Sequence, residues 1–212
     1  MGLKLFYPIR FYPVLDTEAA WRRGTGPTAA AAAILEAGAR ILQFRHKGFF
    51  SRELFEEAQE VAGLCRQAGA VFVINDRADI ARLLHAALHV GQEDLSPSDA
   101  RLVVGAEAVI GFSTHNEAQL LAAAAEPADY LALGPIFGTM TKLNPDPVLG
   151  AEELRRLRPL TERPLVAIGG ITRANAGAVL DAGADAVAVV GDLFPEDGNI
   201  RARAEEWVRL CG

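Results

Sequence analysis

Eight short apolar runs recur along the chain, and longer segments with helical periodicity lie between them. The runs are Phe11–Leu15, Ile41–Phe44, Val71–Ile74, Leu88–Val90, Ala108–Phe112, Tyr130–Leu133, Leu165–Ile168 and Ala186–Val190. Most are nearly continuous in apolar character, as parallel strands covered on both faces should be. Helical patterns are read at Thr28–Glu36, Ser51–Ala68, Asp76–Leu84, Ser96–Val104, Asn116–Ala125, Gly150–Leu157, Thr172–Ala182 and Ile200–Leu210. Ser51 precedes an acidic first turn and suits an N-cap. Ala37-Gly38, Ala68-Gly69 and Ala182-Gly183 read as helix stops just before a strand. Strict alternation of eight strands and eight helices predicts a (β/α)8 TIM barrel in a single α/β domain. An open doubly wound sheet is the alternative, but no Gly-x-Gly-x-x-Gly follows the first strand. Residues 1–9 read as an N-terminal extension, and Asn144-Pro145-Asp146-Pro147 as irregular structure in a long loop.

Composition narrows the class. The chain has 212 residues, 50% of them hydrophobic, with 21 basic against 27 acidic side chains and a net charge of −6. That balance disfavours nucleic acid as a partner, so a phosphate ligand needs a local cationic pocket. Neither a membrane span nor a secretory leader is read, and a cytoplasmic enzyme is expected. Cys65 and Cys211 alone make neither a disulfide framework nor a zinc site; Cys65 reads as a buried thiol and Cys211 as part of a mobile end.

The polar residues that follow the strands carry the candidate chemistry, because barrel active sites form at those ends. The second strand runs into Gln43-Phe44-Arg45-His46-Lys47, with Gln43, Arg45 and Lys47 on one face. Two cations at a barrel mouth call for an anionic ligand, although a solvated basic turn has the same composition. Asn75-Asp76 ends the third strand and Asp94 follows the fourth. Two neighbouring carboxylates suit Mg2+; equally, Asp76 could cap a helix and Asp94 a loop. Ser113 and His115 follow the fifth strand, as a donor and as an acid–base group or helix cap. His46, His85 and His89 lack metal-ligand spacing. Gly134-Pro135-Ile136-Phe137-Gly138-Thr139-Met140-Thr141-Lys142 follows the sixth strand and supplies close backbone approach, two hydroxyls and a point charge. Gly169-Gly170 and Val190-Gly191 end the last two strands, where barrels of this type recurrently bind phosphate. These ends read as two anion sites, one cationic and one built of backbone N–H groups.

Gln43-Phe44-Arg45-x-Lys47-Gly48, Asn75-Asp76, His89-Val90-Gly91-Gln92-x-Asp94, Ser113-x-His115, Gly134-Pro135-Ile136-Phe137 with Thr139-x-Thr141-Lys142, and Gly169-Gly170-Ile171 together resemble the thiamine phosphate synthase family over residues 10–195. The resemblance implies a Mg2+-dependent transferase. Such an enzyme joins 4-amino-2-methyl-5-hydroxymethylpyrimidine diphosphate to 4-methyl-5-(2-phosphoethyl)thiazole and releases pyrophosphate by a dissociative route. It implies that Gln43 binds the pyrimidine and that Arg45, Lys47, Asn75 and Lys142 hold the diphosphate. Asp76 and Asp94 would carry Mg2+, and Ser113 would meet the leaving group or the pyrimidine amine. Thr139, Thr141, Gly170, Val190 and Gly191 would bind the thiazole phosphate. Small-molecule substrates are the expected partners, with a homo-oligomer possible. A thiazole tautomerase of the same superfamily and a non-catalytic thiazole-phosphate-binding protein are the competing readings. Val190-Gly191-Asp192 departs from the family's usual small residues, and Asp192 puts a negative charge beside the phosphate turn unless its side chain points away.

Overall fold

The computed structural model describes residues 9–138 and 146–211. Eight parallel strands close in sequence order into a barrel, the last pairing with the first. They are β1 (Phe11–Asp16), β2 (Ile41–Arg45), β3 (Val71–Asn75), β4 (Ala87–Val90), β5 (Ile110–Thr114), β6 (Tyr130–Leu133), β7 (Leu165–Ile168) and β8 (Ala186–Val189). Helices α1 (Thr17–Arg22), α2 (Pro27–Glu36), α3 (Arg52–Ala68), α4 (Ala78–Leu84), α5 (Pro97–Val104), α6 (Glu117–Ala122), α7 (Gly150–Leu157), α8 (Ala176–Asp181) and α9 (Ile200–Cys211) lie between and after them. The expected (β/α)8 architecture is therefore the observed one.

Alternation along each strand sorts the side chains into two cores. Tyr130 and Ala132 of β6, and Ala186 and Ala188 of β8, belong to a small cluster inside the barrel with Tyr12, Val14, Ile41, Val73 and Val166. Their neighbours Leu131, Leu133, Val187 and Val189 face the helices in the larger outer core. The interior alternates bulk with absence of bulk. Tyr12 and Tyr130 meet edge to face with centroids 6.1 Å apart. Gly111 makes room for them: a Cβ there would lie 2.0 Å from Tyr130 Cζ and 2.5 Å from His89 Nδ1.

The N-terminal face is tied by a repeated device. Asp129, just before β6, accepts the Ile110 N–H of β5 at 2.8 Å and pairs with Arg101 at 2.9 Å. Asp185, just before β8, accepts the Leu165 N–H of β7 at 2.8 Å and pairs with Arg158 at 3.1 Å. The first of these also moves β5. The apolar run predicts a strand from Ala108, but Arg101 holds the Ala108 carbonyl in the preceding turn, and the ladder starts at Ile110 and runs on through Ser113 and Thr114.

Other boundaries shift for local reasons. The sequence offers no helix at Thr17–Arg22, yet α1 forms there because Asp16 accepts the Ala19 N–H at 2.9 Å as its N-cap. Ser51 and Ser96 cap α3 and α5, the former as expected. The helix expected from Thr172 begins only at Ala176, since Asn175 Oδ1 accepts the Thr172 N–H and holds that stretch as a turn. Cys211, expected at a mobile end, is buried in the last turn of α9, and burial raises its thiol to about 11. Cys65 is buried as expected, and its thiol is pushed up to about 12. Residues 1–8 of the expected N-terminal extension lie outside the described residues.

Gly111→Ala tests the interior fit. Forcing a methyl into this space should destabilise the fold by about 2–3 kcal/mol, as overpacking of a well-filled core does. Urea unfolding at equilibrium measures it, and an unchanged midpoint would mean that Tyr130 can move aside.

Candidate active site

One cavity of about 800 Å³ opens at the C-terminal ends of the strands. Gln43, Arg45, Lys47, Asn75, Asp76 and Asp94 line one side, and Gly170, Val190 and Gly191 line the other. Ser113 lines it too, from the end of β5. The structure thus brings together every expected site residue it describes. Thr139, Thr141 and Lys142 lie outside the described residues.

The cationic side is held by acids. Strand register sets Asp16 beside Arg45 across β1 and β2, and their side chains form an ion pair. Lys47 pairs with Asp76 at 2.5 Å. Asp76 does not cap α4, whose N-cap is Arg77. It sits at φ 63°, a left-handed conformation that only a short polar side chain adopts readily outside glycine. Its carboxyl is pushed up to about 6, mainly by burial; Lys47 opposes the rise and the neighbouring Asp94 adds to it. Asp94 also closes its own loop, accepting the Gly91 N–H at 2.8 Å, so the loop-cap reading holds for it. In the same cavity lining, the buried Asn75 amide nitrogen has no hydrogen-bond partner among the described residues. A buried unpaired donor at a cavity wall is suited to an oxygen of a ligand or of water.

Two crowded carboxylates beside that amide fit Mg2+. This cation keeps several waters and is commonly held by one or two carboxylates together with substrate phosphate. No group of three or more His, Cys, Asp or Glu side chains placed to hold a metal occurs among the described residues.

Beneath the mouth runs a buried polar chain that the sequence did not disclose. Gln43 Nε2 donates to the Tyr12 hydroxyl at 2.9 Å, and the Tyr12 and Tyr130 hydroxyls are 2.8 Å apart. Tyr130 Oη meets His89 Nδ1 at 2.9 Å, and His89 Nε2 meets Ser113 Oγ at 2.9 Å. Burial lowers His89 to about 4 and raises both tyrosines, so all three are neutral near pH 7. A neutral imidazole donates from one ring nitrogen and accepts at the other, so His89 links Tyr130 and Ser113 as donor to one and acceptor from the other. Only strand register could have revealed that Tyr12, His89 and Tyr130 point at one another. His115 does not cap α6, which Asn116 does; it lines the cavity with its Nδ1 2.6 Å from the Gly134 carbonyl oxygen and 3.6 Å from Asp146.

The opposite wall is built on glycine turns, and Ile168, Ile171, Thr172, Val190 and Asp192 line it as well. Ile136 N–H donates to the Ile168 carbonyl at 2.9 Å and Phe137 N–H to Gly169 at 3.0 Å, which zips the loop after β6 onto the turn after β7. Gly170 sits at φ 61°, and a Cβ there would lie 2.4 Å from the Gly138 carbonyl oxygen. Packing and turn geometry therefore both demand glycine, and the same bareness leaves backbone accessible to a ligand.

The family model for thiamine monophosphate synthase matches residues 11–193. The chain belongs to that family. It is 45% identical to the thiamine-phosphate synthase of Koribacter versatilis, over 99% of this chain and 97% of that one. It is 41% identical to that of Chloroflexus aurantiacus, over 93% and 90%. The solved thiamine phosphate pyrophosphorylase of Pyrococcus furiosus superposes with a TM-score of 0.85 at 30% identity, covering 98% of this chain and 97% of the other. Among the described residues no helix is long and apolar enough to cross a membrane.

The buried histidine makes a pH prediction. His89 titrates at about 4 in the fold against 6.5 when exposed, so between those values the unfolded chain binds the extra proton. The stability this residue contributes is full above 6.5 and is lost as pH falls toward 4. Urea unfolding across that window should show the decline, and His89→Gln should flatten it. Equal slopes in the two proteins would assign the decline to other groups.

Proposed function

We propose that this transferase of the thiamine-phosphate synthase family joins 4-amino-2-methyl-5-hydroxymethylpyrimidine diphosphate to 4-methyl-5-(2-phosphoethyl)thiazole, releasing pyrophosphate. The observation that carries the reading is the two-sided cavity, with a cationic, carboxylate-bearing wall facing a glycine-backbone wall. The first suits a diphosphate and the second a phosphate monoester.

In this reading the diphosphate lies against Arg45, Lys47 and the unpaired Asn75 amide, with Lys142 as a further contact. Asp76 and Asp94 hold Mg2+, which when bound neutralises charge on the departing pyrophosphate. The carbon–oxygen bond to the pyrimidine methylene breaks first, and its electron pair leaves with the diphosphate. The electron-rich aminopyrimidine spreads the positive charge. The thiazole nitrogen then donates its lone pair to form the new carbon–nitrogen bond. No protein nucleophile is required, and both ring nitrogens of His89 are committed to hydrogen bonds.

The remaining side chains position. Gln43 stands at one end of the buried polar chain and faces the pyrimidine. Ser113 stands at the other end and meets either the leaving group, to which its hydroxyl donates, or the pyrimidine amine, which donates to its oxygen. Gly170, Val190 and Gly191, with Thr139 and Thr141, take the thiazole phosphate and set its nitrogen in line with the methylene. Holding two reactants this way removes most of the entropic part of the barrier. A cytoplasmic setting belongs to the same proposal.

Pyrophosphate release should require both substrates and Mg2+, each omission abolishing it. Conversion of a thiazole carboxylate phosphate isomer without pyrophosphate release would overturn the reading in favour of a tautomerase. Asp94→Asn should raise the Mg2+ concentration needed for half-maximal turnover by about tenfold, the size of loss expected when one ligand of a weakly held ion is neutralised. An unchanged Mg2+ titration would leave Asp94 only its loop-closing bond to Gly91.

A further inference from the structure

Asp192 stands in the turn after β8, where a negative charge should repel a phosphate. Its carboxylate is instead engaged on three donors from two other elements. Oδ2 accepts from Arg173 Nε at 3.0 Å and from Trp207 Nε1 at 2.9 Å, and Oδ1 accepts from Arg203 Nη1 at 3.2 Å. The same Arg203 nitrogen donates to the Asp192 carbonyl at 2.8 Å. Glu206 pairs with Arg173 and lies 3.4 Å from Arg203 Nε. Trp207 is fully buried and stacks on Phe11 of β1, with centroids 5.6 Å apart and planes within 3°. One carboxylate therefore joins the connection after β7, the turn after β8 and helix α9, and anchors all three on a buried indole.

We propose that Asp192 is a positioning residue for the phosphate-carrying thiazole: it holds the Gly170 turn and the Val190-Gly191 turn in fixed register. The proposal rests on the reading above that these turns take the phosphate. Two arginines against Asp192 and Glu206 leave the cluster neutral, so the aspartate adds no net repulsion to the site. Charge and position then predict opposite signs for Asp192→Asn. By charge alone, the released cation would tighten phosphate binding. By position, binding weakens, because the asparagine NH2 must face an arginine or indole N–H that needs an acceptor.

The experiment measures pyrophosphate release with each substrate varied in turn, and inhibition by inorganic phosphate, in the wild type, Asp192→Asn and Trp207→Phe. Competition between inorganic phosphate and the thiazole phosphate in the wild type tests the underlying reading. Its absence would remove the subsite and the proposal with it. Where competition holds, Asp192→Asn should raise the thiazole phosphate KM and the phosphate Ki about tenfold while kcat and the diphosphate KM stay within about twofold, the pattern of a displaced binding turn. Trp207→Phe keeps the stack on Phe11 but loses the N–H, and should shift the same two constants less far. An unchanged or lowered thiazole phosphate KM overturns the proposal, as does an equal rise for both substrates. Should Asp192→Asn fail to fold, Trp207→Phe decides by the same criteria.

Discussion

Filling the inside of a small barrel with polar-tipped aromatics is the constraint on which this molecule depends. Eight short strands enclose a space that Tyr12 and Tyr130 occupy, while Ala132, Ala186, Ala188 and Gly111 withdraw to admit them. Each buried hydroxyl must keep a hydrogen bond, since an unmet one costs about 1–3 kcal/mol. The solution is a chain that begins at Gln43 and ends at Ser113, both at the cavity wall. The floor of the site is thus the top of the core. Its polar groups are fixed by packing before any ligand arrives.

Above that floor the two walls manage charge differently. On the β2–β3 side, cations and carboxylates are interleaved: Arg45 with Asp16, and Lys47 with Asp76. Each side chain is held by a partner that a diphosphate and its cation can replace or join. On the β7–β8 side glycine turns alternate with Ile168, Ile171, Thr172 and Val190, and the acid there, Asp192, is matched by Arg173 and Arg203. A chain of net charge −6 can in this way present one strongly ionic pocket and one nearly neutral one within a single cavity. Such a division suits two ligands of unequal charge, because each is disfavoured in the other's place.

Much of this was legible in the sequence, for identifiable reasons. Apolar runs of three to five residues gave all eight strands because parallel strands are buried on both faces. The polar residues immediately after the runs gave the cavity wall because barrel sites form there. What failed were the places where a strand ends in polar residues. Asp16, Arg45 and Asn75 continue their strands, and Ser113 and Thr114 belong wholly to β5. Hydropathy alone cannot distinguish a loop residue from a strand residue that faces a ligand. The α1 helix was missed because its signal is a single cap, Asp16, whose pairing with Arg45 is equally invisible without register. The same limit hid the Tyr12–Tyr130–His89 contacts, which join residues more than forty positions apart on three strands.

The pairing of a neutral floor with an ionic wall bears on how the proposed chemistry can proceed. A leaving group that departs with its electron pair asks the site for cations at one end and for the absence of nucleophiles at the other. A neutral His89 in the floor of the site would be a hazard if its ring lone pair were free, since an uncommitted imidazole attacks carbocation-like centres. Burial lowers it to about 4, and bonds to Tyr130 and Ser113 occupy both ring nitrogens. The histidine is thereby a hydrogen-bonding element and not a base. The same burial keeps both tyrosines protonated. On this reading the barrel interior protects a reactive cation by leaving it no uncommitted imidazole lone pair, since both His89 nitrogens are engaged with Tyr130 and Ser113.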